Sequence, residues 1–598
     1  MLSSIATTYV RDLRGLVTQE TDGRGVVTNR AYDNAGRLLT ETYPAATAEN
    51  VTYAYDSVVS ANKGKGHLTS ITDQSGSTTY TYNALGQIIT DKRVIASKTY
   101  TTGYLYNAAG LISQITYPSG RIVIYARNVN GQVTGVTTKQ NAAAAVVNVA
   151  TGMTYAPLSN LLTGLNHGNG LATTAGYDLD YRLTALQVKN GATTVSSLAY
   201  AYGDGMNLTG ITDNASSVWG QSNYYYDIGG NRTYDNNTVA AVTTTKTTYY
   251  DTISNHMTNV AVNGTTTRTF AYDGAGNITN DNRPGEAFVF TYNNRNRMAS
   301  VTRNGLAYAT YGYNALEQLT TRSTSAVDGP VGQVAYIYDL DGHLIAEATA
   351  STGATTRDYI WAAANDNTPV DLPLAVAEAA TLSMVHSDHL GRPIRMTDST
   401  KATVWQAQYK PFGEPVTISG TKANNLRFPG QYFQIETGFA YNWHRHYDPT
   451  TGRYTQPDPL RFVDGPSMYA YAGNSPLMRT DRDGRDIDSL PLPQPYGLMY
   501  KLFKWSTTPT PQVCSPTGGL NVPPMMNIRA PGQPSERDGY RPPKNWNGQT
   551  VQNPNGSGSG FPDNNGNVWV PTDHNGTHAP HWDVQHANGS HTPVYPQE

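Results

Sequence analysis

The chain closes on "HNGTHAPHWDVQHANGSH", residues 574–591, which gathers five of its 13 histidines (His574, His578, His581, His586 and His591) around Asp583. Histidine gives and takes protons near neutral pH, and a neighbouring carboxylate tunes that exchange. Two such imidazoles suit cleavage of RNA at its 2′-hydroxyl, one as base and one as acid. The same side chains, with His574, His578 and His581 as the nitrogen donors, suit zinc or another divalent metal ion. The spacing of His578 and His581 is a weak zinc signature by itself, and Pro580 opposes a regular helix presenting both. The plain alternatives are a histidine-rich tail without function and a Trp582 that only anchors a core.

Short strands must place these groups. "NVWV" (567–570) and "HWDVQH" (581–586) read as strands, the second alternating with period two, and Asn588-Gly589 favours a two-residue hairpin turn. That turn sets His586 opposite His591, Val584 opposite Pro593 and Trp582 opposite Tyr595 on one apolar face. His581, Asp583 and Gln585 then share the other face, with His574 and His578 arriving from the preceding loop. Residues 541–598 read as a small, mostly-β domain. Residues 486–540, opening "DIDSLPLPQPYG", are Pro-rich and irregular, as a linker or a threaded segment would be.

The rest of the chain is of another texture. In 598 residues there are 42 Tyr against 10 Phe, 56 Gly and only 15% charged residues, which favours aromatic and β-branched strands joined by tight turns. A formal net charge of -3 removes any global attraction to nucleic acid or membrane, and residues 486–598 carry six Lys and Arg against eight Asp and Glu. One cysteine, Cys514, permits neither an intrachain disulfide nor a CxxC metal site. The N-terminus lacks the apolar core of a signal peptide, and no window reaches the roughly 18 apolar residues of a membrane span. Synthesis in the cytoplasm and export by a specialised secretion system are the expectation.

A repeat organises residues 1–485. "YDNAGRLLTETY" (from Tyr32), "YNALGQIITDKR" (Tyr82), "YNAAGLISQITY" (Tyr106), "YDLDYRLTALQV" (Tyr177), "YDGAGNITNDNR" (Tyr272) and "YDLDGHLIAEAT" (Tyr338) share Tyr, then Asp or Asn, a Gly and an alternating strand. Asp or Asn starts a turn, Gly takes a positive φ, and Tyr closes one strand on its neighbour. Each unit is one hairpin, too small to stand alone, so units add edge to edge into an all-β array.

These units, followed by "HSDHLGRPIRMTDST" from His386, "YKPFGEP" (409–415), "RFPGQYFQIETGFAYNWHRHYDPTTGRYTQPDP" (427–459) and "MYAYAGNSPLMRTDRDG" (468–484), resemble the RHS or YD-repeat family over residues 10–485. The resemblance implies a spiralling β-shell, or cocoon, over 1–385, closed by an RHS-associated core over 386–485, around a C-terminal toxic domain. The chain begins inside the repeats with few units, so an open shell stands beside a sealed one as an expectation. The family's core cuts its own chain after Asp-Pro-x-Gly-Leu using aspartates. By motif these fall on Asp458 in "QPDPL" and Asp481 in "TDRDG", with Arg485 at the cleavage point. Two adjacent carboxylates divide the roles of acid and base because both do not ionise easily. This chain has Asp481-Arg482-Asp483-Gly484-Arg485 there, without the Pro and Leu. Arg482 is expected to lower a neighbouring carboxyl pKa and Asp483 to oppose it; the alternative is that both aspartates only begin turns.

"PHWDVQ" (580–585), after "GFPDNNGNVWVPT" (560–572), is similar to the bacterial polymorphic toxin type 37 domains. The resemblances together imply an RHS-type polymorphic toxin of interbacterial competition whose C-terminal enzyme is a nuclease using His578, His581 and Asp583. Its implied partners are a nucleic-acid substrate, a cognate immunity protein and secretion machinery. The reading from a different class is a cell-surface or carbohydrate-binding YD-repeat protein with an inactive tail.

Overall fold

The computed structural model describes residues 7–489 apart from 60–61, 204–207, 214–215, 218–220, 240–241, 252, 326–331, 363–370 and 486, together with 534, 540–544, 549–554, 559–572, 581–586 and 590–594. It divides into two compact units, Met1–Gln512 and Val513–Glu598. Strands dominate both. Among the described residues there is no α-helix, and no helix is long and apolar enough to cross a membrane.

Within each sheet of the first unit the strands pair antiparallel with their neighbours in sequence. A 19-stranded meander runs from Thr8 to Ser217 and an 18-stranded one from Gln221 to Gly420. The turn chemistry explains the regularity. Asp33 Oδ1 accepts the backbone N–H of Ala35 and Arg37, and Asn83, Asn107, Asp178, Asp273 and Asp339 repeat the arrangement at the same spacing. Gly36 closes its turn at φ +81°, where most side chains are strained. Tyr181, Asn296 and Glu317 keep that conformation without glycine. At Glu317 the ion pairs to Arg295 and Arg297 offset the strain.

The preference for Tyr over Phe has a specific cause. Each repeat tyrosine sits at a register shift, as between Ala31 and Tyr32 or Gly312 and Tyr313. Its hydroxyl donates to the carbonyl of a residue opening an earlier strand: Tyr32 to Val17, Tyr55 to Leu38, Tyr106 to Ile88, Tyr177 to Leu162, Tyr292 to Ile278 and Tyr313 to Met298, all at 2.7–3.0 Å. The ladder between 17–21 and 27–32 begins only at Gln19, so Val17 lies beyond its last rung and the hydroxyl supplies the bond. Phenylalanine packs as well but leaves the carbonyl bare. Tyr313→Phe, at a tyrosine 3% exposed, should therefore cost about 1–3 kcal/mol, read as a lower denaturation midpoint at unchanged slope.

One core joins both meanders and a third sheet of five strands, Leu426–Phe428, Gln431–Gln434, Phe439–Asn442, Arg445–Asp448 and Arg453–Tyr454. Tyr104, Val123 and Val149 from the first sheet pack into the same buried cluster as Phe288, Tyr336 and Val376 from the second and Tyr432, Phe439 and Tyr441 from the third. Buried charges lock the third sheet to the second. Arg268 pairs with Asp281 and, at 2.8 Å, with Asp448; Arg322 pairs with Glu436 at 3.3 Å. The polar network thus fixes where residues 445–458 stand.

The second unit holds a five-stranded meander: Val551–Gln552, Ser559–Pro562, Val568–Thr572, His581–Gln585 and His591–Val594. Its core is Tyr540, Trp569, Trp582 and Val584, with the two indoles edge to face at 6.0 Å. Tyr540, just ahead of the segment read as the domain, also donates its hydroxyl to the carbonyl of Pro562 at 2.8 Å. Asp563 repeats the shell's turn, accepting from the backbone of Asn565 and Asn567.

Candidate functional sites

The histidine hairpin forms, with one correction to its register. Gln585 faces His591, Val584 faces Thr592 and Trp582 faces Val594, and the N–H of His586 bonds the carbonyl of Ser590. The expected two-residue turn required Trp582 opposite Tyr595 and His586 opposite His591. The closing pair is instead 586 with 590, which leaves three residues in the connection, and an odd loop moves every partner by one. Alternation survives the shift: Trp582 and Val584 are buried while Asp583 and Gln585 are half-buried. His581 opens this strand, opposite Thr572 and two residues before Asp583. The side chain of His581, and all of His574, His578, Asn588, Gly589 and Tyr595, lie outside the described residues. His586 has a visible structural task, its Nδ1 3.0 Å from Asn567 Oδ1 and its Nε2 3.0 Å from Thr592 Oγ1. His591 is exposed.

In the first unit the structure brings Asp458 and Asp481 to one side chain. Arg445 Nη2 lies 2.8 Å from Asp458 Oδ2 and 3.1 Å from Asp481 Oδ2, and all three residues are at most 6% exposed. Third-sheet strand 445–448 carries the arginine, the turn after Tyr454 carries Asp458, and strand Arg479–Asp481 carries the second aspartate. Both aspartates also cap turns: Asp458 Oδ1 accepts from Leu460 N–H, and Asp481 Oδ1 accepts from the N–H groups of Gly484 and Arg485. Burial pushes the Asp481 carboxyl up to about 6, against the pull of Arg445 and the Tyr454 hydroxyl at 2.7 Å; Asp483 adds to the rise. The expected lowering by Arg482 does not occur, because Arg482 reaches away to pair with Asp371. Asp458 also lines a cavity of about 480 Å³ with Gln456, Arg297, Arg30 and Glu20.

Sequence reasoning missed Arg445, which sits inconspicuously in "NWHRHYD". Its one signal was a buried-strand position between histidines and a tyrosine. It also missed a cluster in the unit "YDLDGHL". His343 Nδ1 meets Asp339 Oδ2 at 3.1 Å and its Nε2 meets Asp371 Oδ1 at 2.9 Å. Asp339, Asp341 and His343 lie close enough together to suggest a cation site. In the structure both ring nitrogens of His343 are already engaged by carboxylates, of Asp339 and Asp371. Burial opposes charge on His343, but Asp339 and Asp371 outweigh it and hold the ring protonated well above the ordinary range, so both nitrogens are donors. The cluster instead ties Arg482, through Asp371, to the shell.

Comparison with known proteins fits this layout. The teneurin YD-shell family matches residues 154–465, the RHS repeat matches residues 11–48, 64–93 and 106–143, and bacterial toxin 37 matches residues 528–598. The tRNA3(Ser)-specific nuclease WapA of Bacillus spizizenii is 29% identical over 276 residues, 44% of this chain and 11% of that protein. Toxin protein Tse5 of Pseudomonas aeruginosa is 36% identical over 124 residues, 21% of this chain and 9% of that protein. The chain thus spans about a tenth of the length of these two relatives. In the crystal structure of TcdB2-TccC3 the matching region covers 80% of this chain and 28% of that one, with a TM-score of 0.64 at 17% identity, a likeness of fold.

Proposed function

The chain belongs to the teneurin YD-shell family, and from that premise we propose that it is an RHS-type polymorphic toxin: a β-shell carrying a C-terminal toxic enzyme used in competition between bacteria. The observation that carries this reading is the join near residue 486. A shell whose units repeat up to "DRDG" gives way to a segment of different composition that ends in a compact domain matching bacterial toxin 37. The tail's chemistry is assigned to His578, His581 and Asp583, acting on nucleic acid as acid-base groups, or holding a divalent metal with His574. The nuclease named among the relatives supports a nucleic-acid substrate. A toxin of this kind needs a cognate immunity protein in its producer and secretion machinery to leave it.

We further assign self-cleavage at Arg485 to Asp458 and Asp481, which would free the tail from the shell. The geometry supports this reading by placing both carboxylates on one guanidinium beside that backbone.

Inducible expression of residues 486–598 in a bacterial host tests the toxin assignment. Growth should stop within a few generations, and coexpression of the immunity protein should restore it. Normal growth with a soluble, folded tail overturns the reading.

A further inference from the structure

The repeated turn of the shell often carries an apolar side chain at its tip, and the two large sheets treat it differently. In the second sheet the tips are covered. Leu316 packs against Val51, Ile71 and Tyr80 of the first sheet, Leu340 packs on the main core, and Leu390 and Phe412 are buried. In the first sheet Leu85 and Leu179 hold the same turn positions as Leu316 and Leu340, yet with Leu13, Val129 and Leu158 they are 82–108% exposed. Strands that pair antiparallel with their neighbours put every second turn at one end of the sheet, and all five of these tips fall there. They form a row. Its turns follow one another at about 10 Å, twice the spacing of paired strands, and the exposed Ala35, Ala108 and Ala109 stand in turns between the larger tips. The polar groups of the row are engaged from turn to turn: Arg14 Nη1 donates to the carbonyl of Asp33, Gln87 Nε2 to that of Gly110, Gln132 Nε2 to that of Ser159, and the Tyr181 hydroxyl to that of Pro157. What the row offers outward is therefore apolar. Single exposed leucines are ordinary on a protein surface, but a row of them marks a contact.

We propose that this row is the contact surface for a second copy of the chain, which meets it with the same row running in the opposite direction. Two observations favour that occupant. The row is periodic, so a surface with the same spacing of about 10 Å fills all its gaps at once, and this chain carries one. The seam between the first and second sheets shows in addition that such tips bury against the hairpins of another YD-repeat sheet, as Leu316 does. A twofold axis makes the contact self-complementary: the tips of one copy enter the spaces between the tips of the other. Leu85 and Val129, near the middle of the row, lie nearest that axis, and the Leu13 end of one copy lies beside the Leu179 end of the other. The contact is independent of the toxin reading. It adds that shells travel in pairs, each pair carrying two tails.

The test is the mass of the full chain in solution, read by light scattering and by sedimentation at micromolar concentration. The species that carries the shell should contain two copies, whether its tail is cut or uncut. Leu85→Asp with Val129→Asp sets four charges against one another at the axis and should weaken association more than ~100-fold, leaving a monomer. Both side chains are exposed in turns, so an unchanged melting curve of the separated monomer should show that the fold is kept. Leu306→Asp is the control, an exposed apolar residue outside the row, and should leave the pair intact. The pair should also survive about 1 M salt, since apolar contact is not screened as charge pairing is. A wild-type chain that stays monomeric at tens of micromolar overturns the proposal, whatever else covers the row. So does a dimer whose affinity Leu85→Asp with Val129→Asp leaves at the wild-type value, because its contact then lies elsewhere.

Discussion

His581→Ala is expected to lower nucleic-acid cleavage by residues 486–598 by about 10²–10⁴-fold, the usual worth of a positioned general acid or base. His578→Ala should match it, and Asp583→Asn should lose less if its task is to orient or tune an imidazole. The built-in control is His586→Ala. That ring is held between Asn567 and Thr592, so its loss should lower the melting temperature while the activity of each folded molecule persists. Chelation separates the two chemistries assigned to the site. A metal-dependent tail loses activity in EDTA and regains it with zinc or manganese, whereas an acid-base pair shows a bell-shaped pH profile that EDTA leaves unchanged. Full activity in His578→Ala and His581→Ala would remove both residues from the mechanism while leaving the toxin reading in place.

The parts legible in the sequence are those whose cause is local. A turn such as Asp33 to Arg37 is closed by bonds between residues two and four apart, so the spacing of Asp and Gly announces it. The strand at 581–585 was readable because Trp582 and Val584 alternate with Asp583. The hairpin register was not, because it turns on whether the connection holds two residues or three, and the structure closes it with the bond from His586 to Ser590. What the repeat tyrosines do was also hidden. Tyr313 and Met298 are 15 residues apart, and nothing in either segment alone shows that a carbonyl beyond the end of a ladder awaits a hydroxyl. Long-range charge was least visible of all. "TDRDG" places Arg482 next to Asp481, yet the arginine pairs with Asp371, 111 residues away, while Asp481 receives Arg445 from 36 residues away. Neighbours in sequence predicted the wrong partner because a short turn points alternate side chains in different directions.

Removing the second aspartate should stop self-cleavage and at the same time stabilise the shell at neutral pH. Arg445 faces two carboxylates, and the burial that pushes Asp481 up to about 6 means the fold resists its ionisation. Because the folded value lies above the ordinary 3.8, the favourable contribution is complete below about pH 4, where the carboxyl is protonated in both states. Between about pH 4 and 6 the unfolded chain sheds the proton first, and stability falls as pH rises. Above that window the full penalty applies, on the order of 3 kcal/mol for a shift of about two pKa units. Asp481→Asn cannot ionise and leaves a one-to-one pair of Arg445 with Asp458. Its melting temperature should match that of the likewise uncut Asp458→Asn chain near pH 4 and exceed it by several degrees at pH 7.5, each variant keeping one carboxylate on Arg445. Asp458→Asn alone should abolish the fragment without that gain in its dependence on pH, since the raised carboxyl is still present. Equal melting curves for the two backgrounds across pH 4–8 would show that Asp481 bears no strained protonation, and with it would go the acid role assigned to this residue.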